Sequence, residues 1–289
     1  MMLSVTTLSL YLYCPRKLFL EKVLKLVEPP KQSLVLGSIR HDIFDSINKS
    51  EQPLVSSIKE YLALEKIHEN YKKKYSNIAK EEILKKTSEL REFELKPTDV
   101  FKQIWPGIMN EAQIRAHNTF SFMDRNQVFG EQLWQLITPK ILSELSISSP
   151  ALGLKGIVDR IEVHGDLYIP VELKTGSLPR TGMWPGHRIQ IAAYMLLLQE
   201  TLSKTIQEGF VHYLDHKEKR RLVMNPFIKD ELTKLVAEVR SVMESPVMPD
   251  YCENKSKCTH CGLKGQCYNQ HEMQQLLEKY ATGELDISS

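Results

Sequence analysis

Gly156-x-x-Asp159 is followed, thirteen residues after the aspartate, by Glu172-x-Lys174. Two carboxylates and a lysine on two short apolar strands joined by a turn are what a metal-dependent phosphodiesterase requires. Along a strand, side chains two apart share a face, so Glu172 and Lys174 point one way while Leu173 packs on the other. Pairing with the preceding strand brings Asp159 beside Glu172. Carboxylates that close repel each other unless a cation lies between them. Hard oxygen ligands favour Mg²⁺ or Mn²⁺, and an added imidazole tilts the choice toward Mn²⁺. Such an ion polarises a phosphoryl oxygen and lowers the pKa of water, leaving Lys174 to orient that water or stabilise the pentacovalent charge. Taken alone, the pattern is short and common, and ordinary strand-end charges explain it.

Its surroundings add weight. Gln190 and Tyr194 lie at i and i+4 on a helix that is otherwise apolar almost all round, so their polar tips need partners. His41 follows Gly37 as Gly-x-x-x-His, with Asp45 one turn further on the same helix face. A lone histidine is more often structural. Near the C-terminus, Cys258-x-x-Cys261 is followed six residues later by Cys267. Three thiolates so close require a fourth ligand. Cys14, before Pro15, is the best candidate, with Cys252 and His260 as competitors. All-thiolate coordination suits zinc or an iron–sulfur cluster, and spacing alone does not separate them.

The elements that must position these groups can be read from periodicity. Residues 5–27 predict a helix capped by Thr6 or Thr7 and closed by Pro29 and Pro30, and a second helix covers about 36–49. From about 54 to 126 the chain is helical and highly charged. Ile58, Tyr61, Leu64, Ile67, Tyr71, Tyr75 and Ile78 mark one buried stripe, and Lys72–Lys74 a solvated face. After Pro150, residues 152–163 and 167–174 predict a hairpin turning at His164-Gly165-Asp166. A buried helix at 188–202, strands at 208–214 and 220–225, an amphipathic helix at 227–244 and a loop-rich cysteine segment complete the chain.

The bulk numbers set bounds. At 289 residues, with 42% hydrophobic and 26% charged side chains, the chain can build one large domain. A net charge of +2 gives no global basic signature, so a nucleic-acid partner would have to be met by a local patch. No run of about 18 apolar residues suggests a membrane span, and the start lacks the features of a signal peptide. A cytoplasmic protein follows, whose five cysteines serve as ligands or thiols. Tyr61, Tyr71, Trp105, Arg115, Trp184 and Arg188 are candidate stacking or phosphate contacts, although packing is the more common role of aromatics.

In this order, Cys14, Gly-x-x-x-His41, Gly-x-x-Asp159, Glu172-x-Lys174-Thr-Gly, Gln190-x-x-x-Tyr194 and the cysteine triplet resemble the RecB-type iron–sulfur nucleases of the PD-(D/E)XK superfamily. The nearest branches are the CRISPR-associated Cas4 exonucleases and the nuclease domain of the Dna2 replication helicase-nuclease. The resemblance covers residues 14–267. It implies an α/β, restriction-endonuclease-like core with a mixed central sheet flanked by helices, a helical insertion and a C-terminal iron–sulfur lobe. The corresponding segments are 1–49, 50–150, 151–245 and 246–289, within one integrated domain. It further implies Mn²⁺ or Mg²⁺ on His41, Asp159, Glu172 and the Leu173 carbonyl. Lys174 becomes the catalytic lysine, with Gln190 and Tyr194 as supports near the DNA. A structural [4Fe–4S] cluster falls on Cys14, Cys258, Cys261 and Cys267, leaving Cys252 outside. The implied activity is exonucleolytic cutting of single-stranded DNA, commonly from the 5′ end. The implied partners are CRISPR integrase proteins or a helicase. The 50–150 insertion is longer than a minimal Cas4 protein carries, and no Walker motif is present. Two other readings remain open: a non-catalytic nucleic-acid-binding module with a zinc knot, and a nuclease subunit of a larger repair machine. Oligomeric state is not readable.

Overall fold

The computed structural model describes residues 1–284, so the end of the expected 246–289 lobe, residues 285–289, lies outside the described residues. Six strands form one mixed sheet: β1 (Leu3–Ser4), β2 (Lys140–Ser149), β3 (Leu154–His164), β4 (Leu167–Lys174), β5 (Glu208–Tyr213) and β6 (Glu218–Val223). The order is β1-β3-β4-β5-β6, with β2 paired antiparallel along the other edge of β3. β3–β4 is the expected hairpin, and Gly165 takes φ +60° in its turn, a conformation that costs glycine little. β4 and β5 run parallel, and the crossover between them is α8 (Pro185–Leu202). As its composition predicts, α8 is buried over most of its length.

The N-terminal helix differs from expectation. α1 (Val5–Tyr13) is capped by Ser4, whose hydroxyl accepts the Thr7 N–H at 3.2 Å, so neither Thr6 nor Thr7 is the cap. The helix stops at Cys14, where the backbone is extended at φ −166°, ψ 115°. Pro15 is the reason, because the residue before a proline is pushed out of the helical region. A short α2 (Pro15–Leu18) and a π-helical turn (Phe19–Val23) follow. α3 (Gln32–Ser56) is longer at both ends than expected, and it runs through the proposed 49/50 boundary.

The insertion comprises α4 (Leu64–Lys85), α5 (Thr87–Glu92), α6 (Pro97–Asn126) and α7 (Gly130–Leu136). Ile58, Ile67, Tyr71, Tyr75 and Ile78 are buried as the stripe requires, whereas Tyr61 is 46% exposed, outside the helix. Lys72, Lys73 and Lys74 face solvent. The helices run past the expected 126 to Leu136, but the segment expected as a helical insertion, 50–150, is not helical to its end, because residues 140–149 form β2. Leu145 and Ile147 alternate with polar neighbours there, a period-two signal. α9 (Pro226–Glu244) covers the core beside α1 and α8. The cysteine segment is less loop-like than expected, holding α10 (Lys255–Thr259), α11 (Lys264–Tyr268) and α12 (Gln270–Ala281).

Separate apolar clusters fill the sheet–α1–α8–α9 layer, the α3–α7 layer and the junction of the π-helical turn with α12. The first two layers are keyed together by buried charge. Arg115 of α6 pairs with Glu51 of α3 and, at 2.8 Å, with Glu111; Arg160 of β3 pairs with Glu111 at 3.0 Å and Glu162 at 3.1 Å. Tyr71 donates to Glu51 at 3.0 Å. Removing one partner of a buried ion pair strands the others in low dielectric. Arg115→Ala is therefore expected to lower stability by about 3–5 kcal/mol, read as an earlier midpoint in chemical denaturation.

Candidate functional site

β3 shares one edge between two strands. Its start pairs with β1 at Leu154 and Lys155, and its end with β4 from Arg160 to His164. Residues 156–159 fall between the two ladders, and a cavity of about 560 Å³ opens there. His41, Asp159, Glu172, Lys174, Gln190 and Tyr194 all line it. Six side chains singled out by their spacing thus meet in one cleft.

Asp159 stands at the fork. Its Oδ2 accepts the Leu173 N–H at 2.7 Å, holding β4 where regular pairing with β3 has ended. Its Oδ1 lies 3.4 Å from His41 Nδ1 on α3. Burial alone would lower the His41 pKa, but the hydrogen bond and charge of Asp159, with help from Glu172, outweigh it and raise the pKa.

Glu172 is 2% exposed. Its Oε1 accepts from Lys174 Nζ at 2.7 Å and from Gln190 Nε2 at 2.5 Å. Its Oε2 is buried without a hydrogen-bond partner. Burial pushes the Glu172 pKa up to about 8, with Lys174 pulling it down and Asp159 adding to the rise. A buried carboxylate oxygen with no donor is costly, and a cation beside it removes the penalty. By strand alternation Leu173 turns to the opposite face, where it packs with Val171, Leu214 and Phe44 of α3.

Gln190 and Tyr194 reach the cleft from α8, one turn apart, with Gln190 Nε2 3.4 Å from the Tyr194 hydroxyl. Burial raises the Tyr194 pKa, so this hydroxyl stays protonated. Gly156 makes room for the ring. A Cβ at that position would lie 2.7 Å from Tyr194 Cε1 and 3.2 Å from Val5 Cγ2. The glycine of Gly-x-x-Asp is thus a packing requirement of the Tyr194 helix.

Sequence reasoning missed Glu144. The β2–β3 register pairs Ser143 with Arg160 and Leu145 with Val158, which sets Glu144 opposite Asp159. Its backbone adopts φ +51°, unusual for a non-glycine residue in a strand. Ligand atoms of His41, Glu144 and Asp159 all lie within 4.8 Å of one another. Burial and then the charge of Asp159 raise the Glu144 pKa. The alternation of β2 was the available signal, but only the register reveals the partner. The carboxylate and imidazole donors of His41, Glu144 and Asp159 fit a hard divalent cation such as Mn²⁺ or Mg²⁺, whereas Glu172, expected as a ligand, lines the same cavity but is not one of the three.

A second constellation lies away from the cleft. Cys14, Cys258, Cys261 and Cys267 line one pocket, and Cys252 lines it too, whereas His260 is exposed and turns its Nδ1 to the Ser256 carbonyl at 3.0 Å. Cys14 Sγ accepts the Lys17 N–H at 3.3 Å, Cys267 Sγ accepts from Arg16 Nε at 3.2 Å, and Cys258 Sγ accepts from the Tyr268 hydroxyl at 3.9 Å. Cys252 instead donates to the Asn254 carbonyl at 3.6 Å. Protein contacts also tie the two ends of the chain here, through Tyr13 to the Lys257 carbonyl at 2.7 Å and Arg16 to the Pro249 carbonyl at 2.8 Å.

The candidate nucleic-acid contacts fare unevenly. Tyr71 and Arg115 are buried in the insertion and serve its packing. Tyr61 donates to Asp124 at 2.8 Å, Trp105 stacks on Phe101, and Arg188 pairs with Glu231. Trp184 remains 42% exposed, with its indole N–H on the Ser177 carbonyl.

A model of the PD-(D/E)XK nuclease superfamily matches residues 2–268. The chain belongs to that superfamily. A CRISPR-associated exonuclease Cas4 of Francisella tularensis subsp. novicida is 32% identical over 124 residues, covering 43% of this chain and 60% of that protein. A Cas4/Cas1 fusion of Myxococcus xanthus is 29% identical over 135 residues, 45% of this chain and 24% of the fusion. The mouse DNA2 helicase/nuclease is 25% identical over 301 residues, 92% of this chain but 26% of that protein. The chain thus spans from about a quarter to three fifths of the length of these curated relatives. The mixed sheet with flanking helices is the PD-(D/E)XK fold. Among the described residues, no helix is long and apolar enough to cross a membrane.

Two outcomes follow from this cleft. Gly156→Ala displaces Tyr194 and loosens the Gln190–Glu172 contact, lowering Mn²⁺ affinity by about tenfold or more in calorimetric titration. The raised Glu172 pKa makes its contribution to stability fully present below 4.5 and lost as pH rises through about 8. Thermal unfolding of the metal-free protein should therefore fall across that window, less so in Glu172→Gln.

Proposed function

We propose that this chain is a metal-dependent DNA nuclease that acts as an exonuclease on single strands from the 5′ end. The observation that carries the reading is the convergence of His41, Asp159, Glu172 and Lys174 on one cleft, with one Glu172 oxygen buried and unpaired. His41, Asp159, Glu172 and the Leu173 carbonyl would hold the cation, Mn²⁺ or Mg²⁺, and Glu144 is an added acidic donor. When bound, the ion supplies Lewis acidity toward a phosphoryl oxygen and lowers the pKa of water.

The chain's own residues do the rest. Lys174, 2.7 Å from Glu172 Oε1, is held where its ammonium can orient a water toward phosphorus and offset developing negative charge. Gln190 fixes the Glu172 carboxylate, and Tyr194 fixes Gln190, so both act as supports at the DNA-facing wall. The fork between β1 and β4 leaves β3 without a strand neighbour on that edge, giving an extended strand a path to Asp159. The cysteine pocket would hold a structural [4Fe–4S] cluster on Cys14, Cys258, Cys261 and Cys267. Three of these sulfurs accept hydrogen bonds, the pattern that stabilises thiolates, whereas Cys252 acts as a donor. The similarity to Cas4 and DNA2 nucleases supports a role in CRISPR spacer acquisition or in DNA repair and replication, beside integrase proteins or a helicase.

The decisive assay is cleavage of end-labelled single- and double-stranded DNA with Mn²⁺. Single strands should shorten from the 5′ end, and Asp159→Ala or Lys174→Ala should lower the rate by about a hundredfold or more while the fold persists. Unchanged cutting in either variant rejects the assignment. Protein purified without oxygen should be brown and carry about four irons per chain. Iron should be lost in Cys14→Ala and retained in Cys252→Ala; a colourless, zinc-loaded protein would reject the cluster.

A further inference from the structure

α3 sets Gly37, Arg40, His41 and Phe44 on one face, at helical spacing. Each of these positions lies against the C-terminal end of β4 or its neighbours. A Cβ at Gly37 would lie 3.6 Å from Thr175 Oγ1, an ordinary contact, so the helix rests directly on the turn after Lys174. Phe44 packs on Val171, Leu173 and Leu214. His41 approaches Asp159 at 3.4 Å. Arg40, only 8% exposed, pairs with Asp215 in the 3₁₀ turn (Leu214–His216) that follows β5.

The other oxygen of Asp215 accepts the Gly176 N–H at 2.7 Å. His216 Nε2 donates to the Gly176 carbonyl at 3.0 Å. Both polar groups of one peptide position, two residues beyond Lys174, are thus gripped by the turn after β5. Gly176 takes φ +90°, the bend at which the chain leaves the sheet. One carboxylate therefore links the helix that carries His41 to the strand end that carries Glu172 and Lys174. A buried guanidinium holds it firmly, because an unpaired charge at that depth is costly.

We propose that Arg40 and Asp215 form a positioning latch that sets His41 in register with Glu172 and Lys174. Neither residue lines the cleft, so the latch acts through the groups it holds. The inference rests on the reading of the cleft as a metal site. Groups that orient metal ligands commonly affect metal affinity by about 10–100-fold.

The test is Mn²⁺ titration of folded protein, with a parallel record of the His41 imidazole resonance without metal. Arg40→Ala and Asp215→Ala should each weaken Mn²⁺ binding by about tenfold or more. Arg40→Lys should restore part of the loss. Asp215→Asn, which keeps an acceptor for Gly176 N–H but not the charge facing Arg40, should fall between. A purely structural role would lower the melting temperature while leaving affinity below it within about twofold, and that result overturns the latch. If the wild-type protein binds no Mn²⁺, the metal reading fails, and the metal-free resonance decides the latch. A shift in Asp215→Ala sustains it; an unmoved resonance refutes it.

Discussion

A single carboxylate holds the cleft together. Asp159 uses one oxygen to hold the Leu173 N–H at the point where β3 and β4 part, and the other to face His41. The sheet can open there because the side chain supplies the contact that the backbone ladder no longer makes. Beside it lies α3, whose Phe44 rests on one face of β4 while Gln190 of α8 binds Glu172 on the other. The residue best placed to ligate a cation is thus also a splice between two strands and a helix.

Around that splice the molecule is stiff where the chemistry needs it. Arg160, the neighbour of Asp159, faces away into the charge network that locks the insertion onto β3. Gly156 leaves space for Tyr194, and Tyr194 supports Gln190. The groups that face the cleft brace one another, as pre-organised sites require. Helices α3 and α6 are therefore bound to β3 through buried pairs.

Much of this was legible in the residues. Local rules found the hairpin and the buried helix at 188–202, because strand alternation and helical spacing are local. His41, Asp159, Glu172, Lys174, Gln190 and Tyr194 were weak signals one by one, and only their joint order, through the family resemblance, set them together. Glu144 was hidden, since its meaning depends on sitting opposite Asp159 across a register set by the whole of β2. Arg115 misled for the converse reason: its type suits nucleic acid, but only tertiary packing shows that it is enclosed, whereas the burial of Tyr71 was already readable from its place in the apolar stripe. The break at Cys14 was readable from Pro15, yet the run of apolar residues on either side masked it.

That break has a geometric meaning for the molecule as a whole. α1 begins beside Ser4 and Thr6, which line the cleft, and ends at Cys14, which lines the sulfur pocket. Nine helical residues make a rod of about 14 Å, too short to bend appreciably. One straight element therefore joins the two constellations, with one at each of its ends.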